Sequence, residues 1–495
     1  MSDFVVSFRY TTSVVSLCQN LGCYLYHFWG HTFVKNWGAC KKETSLFKMV
    51  LSLTPFNKEV DNMSYEKFIT DFLNIKPSEL SKISTSTKSD GSIFVKVKLV
   101  QKVTSCPFCH NAIKVHDYYD RKLTHSTFSN RKCTIIYSQR RYRCPQCEIT
   151  FREDNPFIDS SEHITYETKL NILKDLKYPE ATYTSVAKRY NVSANKVIRI
   201  FEKHVDIPRK KLPAILSIDE HYFPASDYKA KYCCLLMDFS TGIMLDVLPD
   251  RKKSYLVNYF STIKADTFNY VTKTSELDNV RYVSIDMYDV YRDIAKTYFP
   301  KAKICADSFH VTEHLTKAFR SVRLNARRST ENPVLKYLLT RFKNVFAHKY
   351  QSKLDNEPKY NKKLGQYINY RGIRDLLFES FPVLKTAFEL KEYYINLNNK
   401  TTIENASDKI DEAIDIFSNC GIEEYSEFHG LLVNWRNEII NSFTVIDETR
   451  INNSYMESKN RIVAKLIYNA NGFRNFKRTR NRILYCLNWN DSFKL

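Results

Sequence analysis

The amino-acid sequence predicts a multidomain protein that combines α+β and α/β modules. Three observations support this prediction. Two C-P-x-C motifs are separated by 34 residues, two short helical patterns follow them, and the chain then alternates strands and helices with an acidic residue at the end of three strands. At about 150 residues per domain, 495 residues correspond to roughly three modules.

The chain is strongly basic. It contains 75 Lys and Arg against 54 Asp and Glu, which gives a net charge of +21. Such a charge favours a polyanionic partner, and nucleic acid is the leading candidate. No polybasic amphipathic helix indicates binding to a membrane surface, and no apolar run is long enough to span a bilayer. We therefore expect DNA as the partner and no membrane association.

Cysteine usage favours a reducing compartment. The chain has 13 cysteines, an odd number, and nine of them are scattered rather than arranged as a disulfide framework. We therefore expect a cytoplasmic, nucleoid-associated protein. Residues 1–48 are aromatic and lack the pattern of a secretory signal peptide, and we assign them no function.

The other four cysteines predict a structural zinc site. "CPFCH" and "CPQCE" each place two thiols on one tight turn, and two such turns provide a tetrahedral set of four sulfur ligands. "TIIYSQRRYRC" (134–144) alternates as a strand that leads into the second turn. We therefore predict a zinc ribbon, with His110 as a bystander rather than a spare ligand. The predicted zinc ligands are Cys106, Cys109, Cys144 and Cys147.

Basic residues crowd this predicted ribbon. Their charges suit contacts with DNA phosphates, but an ordinary solvated face has the same composition, and the sequence leaves both interpretations open. The candidates for DNA contact are Arg140, Arg141 and Arg143.

"TYTSVAKRYNVSANKVIRIFEKH" (182–204) contains two short helical patterns. Asn191 suits a left-handed turn between them, Ser193 suits an N-cap, and Val197, Ile198 and Phe201 are the predicted buried side of the second helix. These features predict a helix-turn-helix, with "ETKLNILKDL" as a preceding helix; the alternative is an ordinary helical hairpin. In the DNA-binding interpretation the groove-facing residues are Ala194, Asn195, Lys196 and Arg199.

After residue 210 the pattern becomes β-β-β-α-β-α-β. The first strand ends at Asp219 and Glu220, the fourth at Asp286, and the fifth at Asp307, followed by His310. This order matches a ribonuclease-H-like core, in which the first and fourth strands are neighbours. Asp219 and Asp286 would then converge, and converging carboxylates repel each other unless hard cations lie between them. Mg²⁺, which prefers oxygen ligands, is the expected cation.

A third acid is expected from a later helix. Glu457 is the candidate, because it directly precedes a segment with eight basic residues and no acid between 458 and 490. Within that segment Arg474, Arg478 and Arg482 are spaced four apart and therefore share a helix face. The candidates for DNA contact here are Arg474, Lys477, Arg478 and Arg482.

Each acid also has an ordinary structural interpretation. Asp219 or Glu220 suits a loop cap, Asp286 or Asp289 suits a cap of the following helix, and Glu457 suits an ion pair with Arg461 at i+4. We favour the catalytic interpretation because the acids occur together at strand ends, after a predicted ribbon and helix-turn-helix. Asp307, His310 and Glu220 are kept as possible accessory residues of the site.

From about residue 63 onwards the chain resembles the ISL-three family of bacterial insertion-sequence transposases, which have a DDE catalytic domain. The pieces that carry the resemblance are the CPxC pair, "SVAKRYNVSANKV", "SIDEHYF", "SIDMYDVYRDIAKTYFPKAKICADSFHV" and "ESKNR…GFRNFKRTRNRIL". The resemblance implies a catalytic triad of Asp219, Asp286 and Glu457 that holds two Mg²⁺ ions. Asp307 and His310 look like the D-x-x-H signature that accompanies such triads.

The resemblance also implies the activity and the partners. We expect a transposase that binds terminal inverted repeats and target DNA as a homodimer or higher oligomer, and that cuts and joins DNA. The alternatives are a ribonuclease-H-like nuclease or resolvase that does not join strands, and a non-catalytic zinc-ribbon regulator.

Six segments are predicted in order along the chain. They are an uncertain N-terminal extension (1–62), a zinc ribbon domain (63–155), a helix-turn-helix domain (160–210), the first part of the ribonuclease-H-like core (211–310), an all-α insertion (311–445) and the C-terminal helical part of the core (446–495).

Overall fold

The computed structural model describes residues 24–28, 31–35, 70–128, 131–159, 161–223, 230–470 and 475–488. Most of the predicted N-terminal extension lies outside these residues. The chain divides into two compact units, one of residues 1–83 with 98–102 and one of residues 84–97 with 103–495. In the first unit, strands β1 (Tyr24–Phe28) and β2 (His31–Lys35) pair antiparallel.

The four predicted zinc ligands lie beside a sheet. Its strands are β3 (Leu80–Thr87), β4 (Ile93–Leu99), β5 (Lys114–Phe128), β6 (Arg131–Arg143) and β7 (Thr150–Arg152). The order is β3-β4-β6-β5, with β7 also paired to β6. Strand β6 buries alternate residues such as Cys133, Ile135 and Tyr137, and it ends immediately before Cys144. The predicted strand leading into the second C-P-x-C turn is therefore present.

Three helices follow, namely α1 (Tyr166–Asp175), α2 (Tyr183–Tyr190) and α3 (Ala194–His204). Asn191 adopts the predicted left-handed conformation between α2 and α3, with φ of 55°. The Ser193 side chain accepts from the Lys196 N–H and caps α3 as predicted. One detail of the prediction was wrong: Ile200, and not Ile198, is fully buried with Val197 and Phe201.

A five-stranded sheet forms the centre of the second unit. Its order is β10-β9-β8-β11-β12, with β8, β9 and β10 antiparallel and with β8, β11 and β12 parallel. The predicted order of elements and the predicted adjacency of the first and fourth strands are both present. The elements are β8 (Ile215–Tyr222), β9 (Tyr232–Asp238), β10 (Met244–Leu248), α4 (Lys253–Thr267), β11 (Tyr282–Ile285), α5 (Asp289–Tyr298) and β12 (Lys303–Ala306).

The segment that we predicted as an all-α insertion is mainly helical but also contains a small hairpin. The hairpin consists of β13 and β14, so the all-α prediction was wrong in this detail. The elements are α6 (Ser308–Ser329), α7 (Pro333–Arg341), β13 (Lys359–Asn361), β14 (Gln366–Ile368), α8 (Tyr370–Ser380), α9 (Pro382–Lys400), α10 (Ala406–Ser418), α11 (Ser426–Asn434) and α12 (Arg436–Asn441). A second short hairpin of β15 (Val445–Ile446) and β16 (Thr449–Arg450) lies at the end of this segment.

Two further helices, α13 (Ser454–Asn469) and α14 (Phe476–Leu487), complete the described chain. The central sheet is buried on both faces. Leu216 and Ile218 belong to a core shared with α4, α5 and the inserted helices. Leu235 and Met237 belong to a second core shared with α13, α14 and helices α1–α3. Because alternate residues of a strand point to opposite faces, one sheet supports both cores.

No helix in the described parts of the chain is both long and apolar enough to cross a membrane.

Candidate functional site

The register of the parallel strands aligns three aspartates. Ser217 of β8 pairs with Ser284 of β11, and the β11–β12 pairing continues the same row. Asp219, Asp286 and Asp307 each lie two residues beyond this row. They therefore lie at the carboxyl ends of adjacent strands and, because the side-chain period is two, on the same face of the sheet.

Helix α13 brings a fourth acid to this edge. Glu457 lies in its first turn, and it lines a cleft of about 460 Å³ together with the three aspartates. Its Oε1 accepts from Arg461 at 2.6 Å, as expected for an i+4 pair, although both side chains are substantially exposed. The three residues that we predicted as a triad, Asp219, Asp286 and Glu457, thus share one cleft.

Asp219 is held in a defined orientation. Asn460 Nδ2 donates to its Oδ2 at 2.7 Å, and the Glu220 N–H donates to its Oδ1 at 2.7 Å. Burial raises the pKa of Asp219 to about 6; the nearby charges of Asp307 and Glu220 also raise it, whereas the Glu220 N–H and His310 oppose the rise. A carboxylate this deeply buried needs positive charge nearby to remain ionised.

The same physics acts on Asp286. Burial raises its pKa to about 7, and the negative charges of Glu220 and Asp219 raise it further. The Tyr288 N–H donates to Asp286 Oδ1 at 3.2 Å, but a single peptide dipole does not offset this repulsion. Carboxylate oxygens are the ligands that Mg²⁺ prefers, so the donor chemistry of the cleft matches the predicted cation, although among the described residues no three of its acids bring ligand atoms within 4.8 Å of one another.

Replacing Asp286 by Asn is expected to stabilise the cation-free protein at high pH. The folded-state pKa is raised from 3.8 to about 7, so the folded state holds the proton more tightly and stability falls as pH rises through this window. We expect a gain in unfolding free energy of about 1–3 kcal/mol at pH 8 and almost none at pH 4. Urea unfolding at both pH values measures this difference. A matched Asp289→Asn change, at an exposed position on α5, should show no such pH dependence.

The possible accessory residues also lie in the cleft. Asp307 caps α6 by accepting from the Phe309 N–H at 3.2 Å, and it accepts from the Asn453 N–H at 3.3 Å. Burial raises the pKa of Asp307 as well. His310 Nε2 lies 3.8 Å from Asp307 Oδ2. Asp307 therefore has a structural role as a helix cap in addition to its place among the acids.

The sequence did not indicate the partner of Glu220. Its Oε2 pairs with Arg251, whose guanidinium lies 4.2 Å from the Tyr232 ring centroid and 4.6 Å from that of Tyr288. Cation–π contacts of this kind hold the arginine in place. The partner of Glu220 is therefore a protein cation, whereas within the described part of the chain the donors to Asp219 are the Asn460 amide and the Glu220 N–H.

Two asparagines of the cleft were also missed. Asn460 lies three residues after Glu457, so helical spacing was a usable signal for it. Asn453 was harder to find, because it acts through its backbone N–H to Asp307 and through its Nδ2, which donates to the Ile218 carbonyl at 3.5 Å.

The four predicted zinc ligands meet in one cluster. Their sulfur atoms all lie within 4.8 Å of one another, with Cys106 Sγ 3.7 Å from Cys147 Sγ and Cys109 Sγ 3.4 Å from Cys144 Sγ. A tetrahedral zinc site with bonds of about 2.3 Å has sulfur–sulfur edges of about 3.8 Å, so the donor set fits this ion. His110 is exposed, has φ of 59°, and is not part of the cluster.

The turns of the cluster are built alike. The Cys106 N–H donates to the Asn111 carbonyl at 2.8 Å, and the Cys144 N–H donates to the Ile149 carbonyl at 3.0 Å. The residue after each second cysteine, His110 or Glu148, has a positive φ that closes the turn.

The basic residues near this cluster differ from one another. Arg140 is 4% exposed and pairs with Glu153 at 3.0 Å, which makes it a structural residue instead of the predicted phosphate contact. Arg141 is partly exposed and pairs with Asp117. Arg143 is about half exposed and lies 3.9 Å from Glu148.

On α3 the predicted groove-facing residues are accessible to different degrees. Asn195 and Arg199 are exposed, whereas Ala194 and Lys196 are half-buried. The face that holds Asn195 and Arg199 lies opposite the buried side of Val197 and Phe201.

The predicted basic face of α14 is mostly internal. Arg482 is 2% exposed, and its guanidinium donates to the carbonyls of Leu176, Tyr178 and Ala181. Arg478 pairs with Glu202 at 2.7 Å, and Lys477 is 76% exposed. Arg474 lies outside the described residues. Arg482 thus joins α14 to the α1–α2 region, and its predicted role at the DNA surface was wrong.

Arg482→Met should destabilise the protein strongly, because several buried carbonyls lose their donor. We expect a loss of about 3–5 kcal/mol in unfolding free energy, measured by urea denaturation. Lys477→Met, five residues away on the same helix but exposed, is the control and should stay within about 0.5 kcal/mol. Equal effects of the two changes would contradict the structural role of Arg482.

A comparison with known families identifies the chain. No protein in the curated set matches it. The family model of the ISL3 type, described as a transposase, matches residues 216–483, which is more than half of the chain. The matched region contains the central sheet, the insertion, the acidic cleft and most of α14. The chain therefore belongs to the ISL3 family of transposases.

Proposed function

We propose that this protein is a DDE transposase of a bacterial insertion sequence, which binds terminal inverted repeats and catalyses metal-dependent DNA cleavage and strand transfer. The observation that carries the proposal is the shared cleft of Asp219, Asp286 and Glu457. Asp219 and Asp286 are aligned by strand register, and Glu457 comes from a helix and lies 238 residues after Asp219 in the sequence.

We also propose that the core is ribonuclease-H-like. The support is the strand order β10-β9-β8-β11-β12, in which three antiparallel strands are followed by two parallel ones. The carboxyl ends of neighbouring parallel strands meet at one edge, where side chains from different strands cooperate in one site.

Asp219, Asp286 and Glu457 are the residues that would hold two Mg²⁺ ions. When bound, such ions activate the attacking oxygen and stabilise the leaving oxygen of a phosphodiester. The protein's own residues orient this site: Asn460 fixes one oxygen of Asp219, and Arg251 neutralises Glu220 at the rim. His310, next to Asp307, is available to orient water or a DNA phosphate.

DNA binding is assigned to three regions. The zinc ribbon, with a structural Zn²⁺ held by its four cysteines, offers Arg141 and Arg143. The α2–α3 pair, which we interpret as a helix-turn-helix, offers Asn195 and Arg199. Lys477 and Arg478 of α14 are close to α3, and the net charge supports binding of a polyanion.

A homodimer is proposed because the two ends of an element must be processed together.

The test is a cut-and-join assay with the purified protein and Mg²⁺. The substrate is linear DNA that carries the inverted repeats found on the two sides of the gene, with supercoiled plasmid as target. Cleavage at the repeat ends and joining of the freed 3′ ends to the plasmid are the expected results. Cleavage without joining would favour a nuclease or resolvase, and binding without cleavage would favour a regulator.

A further inference from the structure

Helix α6 begins at the acidic cleft and continues into a second cavity. Phe309 and Thr312 line both spaces, and the second cavity, of about 720 Å³, extends along the helix past Thr316, Arg320 and Arg323. Spacings of three and four residues place these side chains on one face of α6. We call this space the α6 cavity. One helix face therefore connects the acidic cleft with the interior of the insertion.

The α6 cavity has the opposite charge to the cleft. None of the described residues that line it is acidic, and five of them are Lys or Arg. Arg320, Lys343 and Lys349 are exposed, and within the described parts of the chain no carboxylate lies in ion-pair distance of any of the three. By contrast, Lys317, on another face of α6, pairs with Glu313 at 3.0 Å. Uncompensated positive charge is therefore concentrated in this cavity.

The other two bases build the cavity itself. Arg323 donates to the Leu339 carbonyl at 2.6 Å, and Lys391 donates to the Phe346 carbonyl at 2.7 Å and pairs with Glu392. Burial lowers the pKa of both side chains, and for Arg323 the charges of Arg320 and Arg327 lower it further. These two residues are therefore held by backbone carbonyls of the insertion, whereas Arg320, Lys343 and Lys349 are exposed to solvent.

An exposed aromatic ring lies where the two spaces meet. Phe309 is 53% exposed, although its ring packs edge-on against His310 at 5.5 Å. Its backbone N–H donates to Asp307, which fixes the main chain of Phe309 beside the acids. Nucleic-acid bases stack on exposed aromatic rings, and phosphates bind neighbouring Lys and Arg side chains. A cavity of this size is in the range of sites for small organic ligands, and so accommodates a nucleotide.

We propose that the α6 cavity binds an unpaired nucleotide next to the scissile phosphate, with its base stacked on Phe309 and its backbone phosphates held by Arg320 and Lys343. The proposal rests on the proposed function, which makes DNA the substrate of the acidic cleft. A base must leave its partner strand to expose a face for stacking, so the cavity is selective for an unpaired end or a flipped base.

The test measures binding rather than catalysis, in the Asp219→Asn background so that the DNA stays intact. Two fluorescent probes are compared by anisotropy: a 20-base-pair blunt duplex, and the same duplex with a six-nucleotide thymine overhang. We expect the overhang to bind about tenfold more tightly. Phe309→Ala and Arg320→Ala should each remove most of this difference, whereas Phe309→Trp should retain it. Arg320→Ala should also reduce the slope of log K against log salt by about 0.7 for the overhang probe.

Arg328→Ala is the matched control. Arg328 is exposed on the same helix, but it points to another face and donates to Asn325 at 3.1 Å, so its removal should leave the preference for the overhang within twofold. Equal affinity of the unmodified protein for both probes would overturn the proposal. So would equal losses for the blunt and overhang probes on Arg320→Ala, which would indicate a duplex-binding surface. Failure of the cut-and-join assay, by contrast, would refute the proposed function and leave this binding preference as a separate result.

Discussion

Asp219→Asn, Asp286→Asn and Glu457→Gln are each expected to reduce both DNA cleavage and strand transfer by about 10³-fold or more. A neutral amide has nearly the same shape as the carboxylate but lacks the charge that holds a divalent cation. Metal assistance contributes several kcal/mol to such reactions, and 1.4 kcal/mol corresponds to a factor of ten in rate. The rates are measured by gel with end-labelled DNA and Mg²⁺.

Two controls make this prediction specific. Asp289→Asn changes an exposed acid three residues from Asp286 and should leave the rate unchanged. Asp307→Asn keeps an oxygen that accepts from the Phe309 N–H, so the cap of α6 survives and the loss should be far smaller than for Asp286→Asn. Full activity of Asp286→Asn, together with loss in Asp307→Asn, would make Asp307 the second acid of the triad.

Cys144→Ser is expected to remove bound zinc and to unfold the predicted ribbon. Cys144 is fully buried and is one of the four sulfur ligands of the cluster. Because the substitution removes one thiolate, the remaining three-ligand site should bind zinc much more weakly. Structural zinc contributes about 10–16 kcal/mol in isolated zinc-finger peptides, and part of that is expected here, because the adjoining sheet has a core of its own. Metal analysis should give one zinc per chain before the change and none after it.

Cys133→Ser is the matched control for this substitution. Cys133 is a buried cysteine of β6 that is not part of the cluster. Its replacement should cost only about 1–3 kcal/mol, for burying a hydroxyl, and should leave the zinc content unchanged. Retention of one zinc per chain in Cys144→Ser would show that the cluster is not the zinc site. Affinity for inverted-repeat DNA should fall in Cys144→Ser and persist in Cys133→Ser if the ribbon binds DNA.

Local patterns predicted much of the fold. The C-P-x-C spacing depends on a single tight turn, and Asn191 and Ser193 act within four residues of their own position. The β-β-β-α-β-α-β order was also predicted, because strand alternation and helix periodicity are local signals. The domain boundaries, the zinc and magnesium ions and the DNA contacts of the individual residues stay predictions. Asp219, Asp286 and Glu457 line one cleft in the structure, and their roles as catalytic and metal-binding residues stay predictions.

The predicted DNA contacts of two arginines were wrong because tertiary packing buries their side chains. Arg482 and Arg140 have the sequence context of surface bases, yet both are buried. Arg482 donates to the Tyr178 carbonyl, 304 residues earlier, and Arg140 pairs with Glu153 on the segment that follows β7. Helical spacing shows that Arg478 and Arg482 share a face, but it does not show whether that face meets solvent or protein. Arg251, the partner of Glu220, lies in a loop after β10 and carries no motif.

Residue types and spacings along the chain were enough to identify the residues with chemical roles: the four thiols, the acids at strand ends and the excess of basic residues. Their types and spacings are encoded locally, since a turn, a strand or a helix is specified by a few neighbouring residues. The packing of the folded chain was needed to show which of these charges are neutralised inside the protein and which remain accessible to a ligand. The burial of Arg482 and the exposure of Arg320 depend on elements that pack against them from elsewhere in the chain, and the free energy of a charge depends on those neighbours.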